Sequence, residues 1–118
     1  MPLNLHSITF DCHNPGELAR FWGDALGYDV TVEEFGAVAV PPDGIGSRLL
    51  FLEVPEGKSV KNRVHLDLSP SDTTRDKEVE RLVALGAQEV EDFEVPFGLW
   101  TVLMDPEGNE FCIEVPVE

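Results

Sequence analysis

The sequence repeats itself once, at the scale of half its length. Leu26-Gly27 and Leu85-Gly86 each close an apolar helical stripe, and they stand 59 residues apart in a chain of 118. Two copies at so long a period indicate a duplicated module, because a solenoid needs three or more repeats to bury a continuous core. The fold must therefore be assembled twice from the same parts.

In the first copy, Leu5 to Cys12 alternates at period two. Ile8, Phe10 and Cys12 fall on one face, and Ser7, Thr9 and Asp11 on the other. Asn14-Pro15 then supplies an N-cap and a proline at the first helical position, with Glu17 suited to the positive helix start. Leu18, Phe21, Trp22, Ala25 and Leu26 form one apolar helical face that stops at Gly27. Strands are predicted at Tyr28 to Glu33, Gly36 to Val40 and Arg48 to Val54.

The second copy repeats the order. A strand from Val64 to Leu68 leads to a cap at Ser71-Asp72 and to a helix carrying Val79, Leu82, Val83 and Leu85. Strands follow at Gln88 to Phe93, Leu99 to Met104 and Glu110 to Val115. The last two are joined by the turn D-P-E-G-N, Asp105 to Asn109. The expectation is a single α+β domain over 1–118, with module 1 at 1–55, a linker at 56–61 and module 2 at 62–118. One helix cannot cover both faces of a four-stranded sheet. The two βαβββ modules, with curved mixed sheets, are thus expected to form a shared cleft lined by the polar alternates: Ser7, Thr9 and Asp11 opposite His65, Asp67 and Ser69.

Composition narrows the partners. Twenty-three acidic residues against eight basic ones give a formal charge of −15, which repels phosphate backbones and anionic membranes. No nucleic-acid or membrane partner is expected. The start M-P-L-N-L-H does not resemble a signal peptide, and Cys12 and Cys112 have neither C-x-x-C nor zinc-like spacing. Two buried free thiols in a reducing cytoplasm are the expectation.

The stretch I-T-F-D-C-H-N-P-G-E-L-A-R-F-W-G-D-A-L-G-Y, the strand N-R-V-H-L-D-L and the ending D-P-E-G-N-E-F-C-I-E-V together resemble the vicinal oxygen chelate superfamily. That group includes glyoxalase I, bleomycin-resistance proteins and extradiol dioxygenases, and the likeness is greatest to small glyoxalase-like domain proteins. The resemblance implies paired βαβββ modules, a homodimer and a site in the cleft between modules.

Metal-dependent members take one ligand from the first and last strands of each module. The matching positions are Ser7, Leu52 or Glu53, His65, and Cys112 with Glu114 two residues on. His6 falls one residue off, on the wrong parity. The resemblance implies a divalent metal ion on His65, Glu53 and Glu114, helped by Cys112.

Each candidate has a plainer reading beside it. His65 and Asp67 suit a catalytic base and its orienter, or a simple hydrogen-bonded pair. Cys112 is a candidate thiol or an inert buried one, and His13 is a surface residue before the helix cap. Glu114 shares a face with Cys112, as ligand contact or solvated acid. Phe93, Phe97, Leu99 and Trp100 form an aromatic cluster, for core packing or for stacking on a ligand.

Two functions remain. One is a protein binding a small organic molecule in the cleft, as a lyase- or dioxygenase-type enzyme. The other is a metal-free drug- or metabolite-sequestering protein of the bleomycin-resistance type.

Overall fold

The computed structural model describes residues 2–96 and 98–116. The chain divides between Lys58 and Ser59 into two compact units, each with one helix and one four-stranded mixed sheet. In the first unit, β1 (Ser7–Cys12), α1 (Pro15–Leu26), β2 (Asp29–Val32), β3 (Gly36–Val40) and β4 (Arg48–Glu53) give the strand order β1-β4-β3-β2. In the second, β5 (Asp67–Leu68), α2 (Arg75–Leu85), β6 (Gln88–Val95), β7 (Gly98–Met104) and β8 (Glu110–Pro116) give β5-β8-β7-β6. The strand before each helix pairs in parallel with the last strand of its unit, and the remaining pairs are antiparallel. The repeat in sequence is thus a repeat in topology. Among the described residues, no helix is long and apolar enough to cross a membrane.

Helix α1 starts where Asn14 accepts the Glu17 backbone N–H through its side chain, and ends at Gly27, whose own N–H reaches the Gly23 carbonyl. Its apolar stripe buries Leu18, Ala19, Phe21 and Trp22 on one face of the first sheet, beside Ala37, Ala39, Leu49 and Phe51. Gly23 sits inside this helix at a cost of about 1 kcal/mol relative to alanine. The reason is steric: a Cβ there would collide with the Val30 side chain of β2. The bare backbone lets helix and strand close up.

The second unit departs from expectation in three places. The strand foreseen from Val64 shrinks to Asp67–Leu68, and Val64, expected on the apolar face, is 81% exposed. The chain bends at Arg63 and Val64, so only the end of the alternating stretch reaches the ladder with β8.

The helix cap is Thr74, not Ser71-Asp72. Asp72 has a φ of 58°, so the chain is still turning there. Thr74 is extended, and its hydroxyl accepts the Lys77 N–H at 3.2 Å.

The apolar stripe of α2 narrows to Val79 and Leu82, while Val83 is largely exposed. That stripe lies over a sheet face built from Leu103, Phe111 and Ile113, all under 3% exposed, with Thr101 among them. The buried Thr101 hydroxyl is satisfied by donating to Asp92 Oδ1 at 2.6 Å.

Candidate functional site

In the second unit, alternation decides which side chains leave the helix face. Leu68 is in register with Ile113, and Ile113 with Thr101, so this row belongs to the side packed on α2. The neighbouring row is Asp67, Cys112 and Val102, followed by Glu114 opposite Trp100 and Trp100 opposite Phe93. These residues share the helix-free face. Phe93 and Trp100 stack there with ring centroids 5.4 Å apart. Phe97, foreseen in the same aromatic cluster, lies outside the described residues.

The chemistry of this face gathers at its β5 edge. The Cys112 N–H donates to the Leu66 carbonyl at 2.9 Å, which pins the start of β5 against β8 and sets Asp67 directly beside Cys112. His65, two residues before Asp67, brings its Nδ1 to 3.3 Å from Asp67 Oδ1. Both side chains are partly exposed, at 42% for His65 and 46% for Asp67, whereas Cys112 is 7% exposed. Sequence alternation anticipated the His65–Asp67 pair. It did not anticipate that Asp67 stands between imidazole and thiol, because a parallel register between distant strands leaves no local signal.

That order of groups decides what the thiol can do. Burial, then the charge of Asp67 and a hydrogen bond to it, and then the charge of Glu114 push Cys112 up from 9.0 to about 11, against a smaller opposing pull from Lys61. The thiol is protonated at neutral pH and is not an activated nucleophile. Two pKa units lower its thiolate fraction about 100-fold near pH 8. Native protein at pH 8 is therefore expected to react with a disulfide reagent such as DTNB at least that much more slowly than protein in denaturant. Equal rates would refute the assignment.

The same shift bears on stability. The folded state holds this proton more tightly than the unfolded chain, so the Cys112 contribution falls as pH rises from 9.0 towards about 11. Cys12, 2% exposed, is likewise a buried thiol, donating to the Leu52 carbonyl at 3.5 Å.

Metal binding by protein groups needs three or four donors converging at about 2.0–2.3 Å. Among the described residues, His65, Asp67 and Cys112 bring three donor atoms together, all within 4.8 Å of one another. An imidazole, a carboxylate and a thiol that a bound ion would deprotonate are chemically fit for a divalent ion. Glu53 and Glu114 lie outside this group. Glu114 shares the face, opposite Trp100. Glu53 is in register with Cys12, whereas Leu52 is in register with Asp11, so Glu53 has the parity of the helix side of its own sheet.

In the first unit, Ser7, Thr9 and Asp11 alternate away from Phe10 and Cys12, with Arg48, Leu50 and Leu52 as ladder partners. Their face is amphipathic, not purely polar. Arg48 is notable on it, because its Nε is buried with no hydrogen-bond partner. His13, at the end of that unit's first strand, pairs through Nε2 with the Pro55 carbonyl at 3.2 Å, which ties the β1–α1 connection to the chain beyond β4.

The family model for the glyoxalase-like domain matches residues 7–114. No curated protein matches the sequence. Solved structures do. A glyoxalase/bleomycin resistance protein/dioxygenase family enzyme from Burkholderia phytofirmans PsJN superposes with a TM-score of 0.77 at 19% identity, over 95% of this chain and 98% of that one. Oxidase ChaP-H2 gives 0.69 at 21% identity, over 98% and 94%. A mutant of the fosfomycin resistance protein FosX from Listeria monocytogenes, complexed with Mn(II) and 1S,2S-dihydroxypropylphosphonic acid, gives 0.74 at 14%, over 96% and 90%. At these identities the solved structures establish the fold, and the family model, spanning nearly the whole chain, establishes kinship. The chain belongs to the glyoxalase-like domain family of the vicinal oxygen chelate superfamily.

Proposed function

We propose that the protein binds a small organic molecule with two adjacent oxygen atoms against the helix-free face of its second sheet, as a cytoplasmic homodimer. In this reading it is a lyase- or dioxygenase-type enzyme. His65 is the proton-transfer group and Asp67 its orienter. Trp100, Cys112 and Glu114 supply the surrounding wall, and Ser7, Thr9 and Asp11 are ligand-contact candidates on the helix-free face of their own sheet. A divalent ion, when bound, acts as a Lewis acid on the adjacent oxygens.

The reading is carried by the His65–Asp67 pair. A carboxylate 3.3 Å from Nδ1 fixes the orientation of the ring, while the partial exposure of both side chains keeps the imidazole within reach of a ligand.

The test uses two probes, catechol and the hemithioacetal of methylglyoxal and glutathione. Amide shifts are expected at Asp67, Trp100 and Cys112. His65→Ala is expected to lower turnover of whichever probe is converted by about 100-fold or more. Shifts absent from that face, or turnover indifferent to His65, would overturn the reading.

A sequestering role is the second reading, favoured by one feature. The stacked Phe93–Trp100 pair lies in register with Glu114 on a chain of charge −15. A flat aromatic surface beside an acid suits a planar cation. Recovery of such a ligand chemically unchanged, with affinity untouched by His65→Ala, would select this role.

A further inference from the structure

We infer that the second unit by itself builds a three-donor site for a thiophilic divalent ion, zinc above all, from His65, Asp67 and Cys112, leaving the fourth position to the ligand. The inference deepens the proposed use of the helix-free face and rests on it: in the ion-loaded form His65 and Asp67 are donors to the ion, and the base-and-orienter pair describes the ion-free form.

The first argument is distance. His65 Nδ1 and Asp67 Oδ1 are 3.3 Å apart. Two donors each about 2.0–2.1 Å from a tetrahedral ion stand about 3.3–3.4 Å from one another. The pair therefore already has the spacing of one edge of a zinc tetrahedron. Cys112 is the third donor at hand, its sulfur lying within 4.8 Å of both others. The β5–β8 register holds it there.

The second argument is donor chemistry. One nitrogen, one oxygen and one sulfur suit zinc. Manganese and magnesium prefer oxygen-rich octahedral sites. Three protein donors with one open corner is the arrangement of catalytic zinc, whereas structural zinc takes four.

The third argument is where the donors originate. The ligand set implied by the family resemblance draws on both modules, with acids at the last strands. Here Ser7 occupies the first position and Cys112 the last, and Asp67 restores the lost carboxylate from within the same unit.

The test is equilibrium dialysis of metal-free full-length protein against Zn2+ and Mn2+ separately, with Co2+ absorption as a second readout. One zinc per chain is expected, held more tightly than manganese, together with a near-ultraviolet thiolate-to-cobalt charge-transfer band. Cys112→Ser is expected to abolish that band. Asp67→Asn, at a partly exposed carboxylate, and Cys112→Ser should each weaken zinc by more than the roughly 10–100-fold that losing an outer-shell partner costs. Both should keep the wild-type far-ultraviolet spectrum, and Asp67→Asn serves alone if Cys112→Ser does not fold. Cobalt bound without the band, or zinc lost in Glu53→Gln but kept in Asp67→Asn, overturns the inference. Binding of catechol without any zinc site overturns the inference and leaves the proposed function standing, so the two fail separately.

Discussion

Trp22→Ala is expected to destabilise the protein by about 3–5 kcal/mol, the range for removing a large aromatic from a packed core. The indole is 1% exposed, lies edge-on to Phe21 at 5.4 Å and meets Phe10 at 5.5 Å with a tilt of 44°. Each such aromatic contact adds about 0.5–1.5 kcal/mol beyond burial. The neighbours cannot collapse into the gap, because Phe10 is already stacked on the fully buried Phe51 and α1 is held against β2 through Gly23. Domains of this size hold about 5–15 kcal/mol in all, so the loss is a large share. Urea unfolding checks it, with Phe35→Ala as control: Phe35 is 65% exposed, and its loss should fall within about 0.5 kcal/mol of zero. A Trp22→Ala loss below about 1 kcal/mol would mean that the first unit does not pack as described.

The second large effect is expected at the D-P-E-G-N turn. Asp105, 3% exposed, accepts the Glu107 N–H at 2.9 Å and the Asn109 N–H at 3.0 Å through Oδ1. It also takes the Asn109 side-chain amide at 2.9 Å through Oδ2. Gly108, at a φ of 87°, makes the left-handed step that closes the turn. Asp105→Ala leaves these donors without their acceptor, at about 1–3 kcal/mol for each that water does not reach. A total of about 2–4 kcal/mol is expected, and about half that for Asp105→Asn, which keeps one oxygen. Thermal unfolding of both variants checks this ordering. Equal losses would mean that the turn is held by its backbone alone. Because β8 follows this turn and carries Cys112 and Glu114, Asp105→Ala should also blunt binding on the helix-free face.

The parts of the fold legible in sequence are those that local physics decides. The strand–helix–three-strand order of each unit follows from period-two and 3.6-residue alternation and from turn residues. β3, the start of β4 and the cap at Asn14 fall where the sequence puts them. β5 was less legible because a strand exists only where it finds a partner, and its partner β8 lies more than forty residues away. Ser71-Asp72 offered the right side chains for a cap on a backbone that had not yet turned.

The site divides in the same way. Alternation alone linked His65 to Asp67, and counting from D-P-E-G-N reached Cys112. Neither could show Asp67 and Cys112 side by side, nor that Glu53 shares the parity of Cys12 and not that of Asp11. Those are facts of register, fixed by long-range pairing.

The brevity of β5 sets how the two sides of the gathered groups behave. Cys112 is anchored in a strand gripped from both flanks, while Asp67 belongs to a two-residue selvage held, among the described residues, from one flank, and His65 hangs just before it. Whatever bridges sulfur to imidazole also fastens that loose hem to the sheet. Occupancy and local order are then expected to be coupled, so filling the site should slow amide exchange at Asp67 and Leu68.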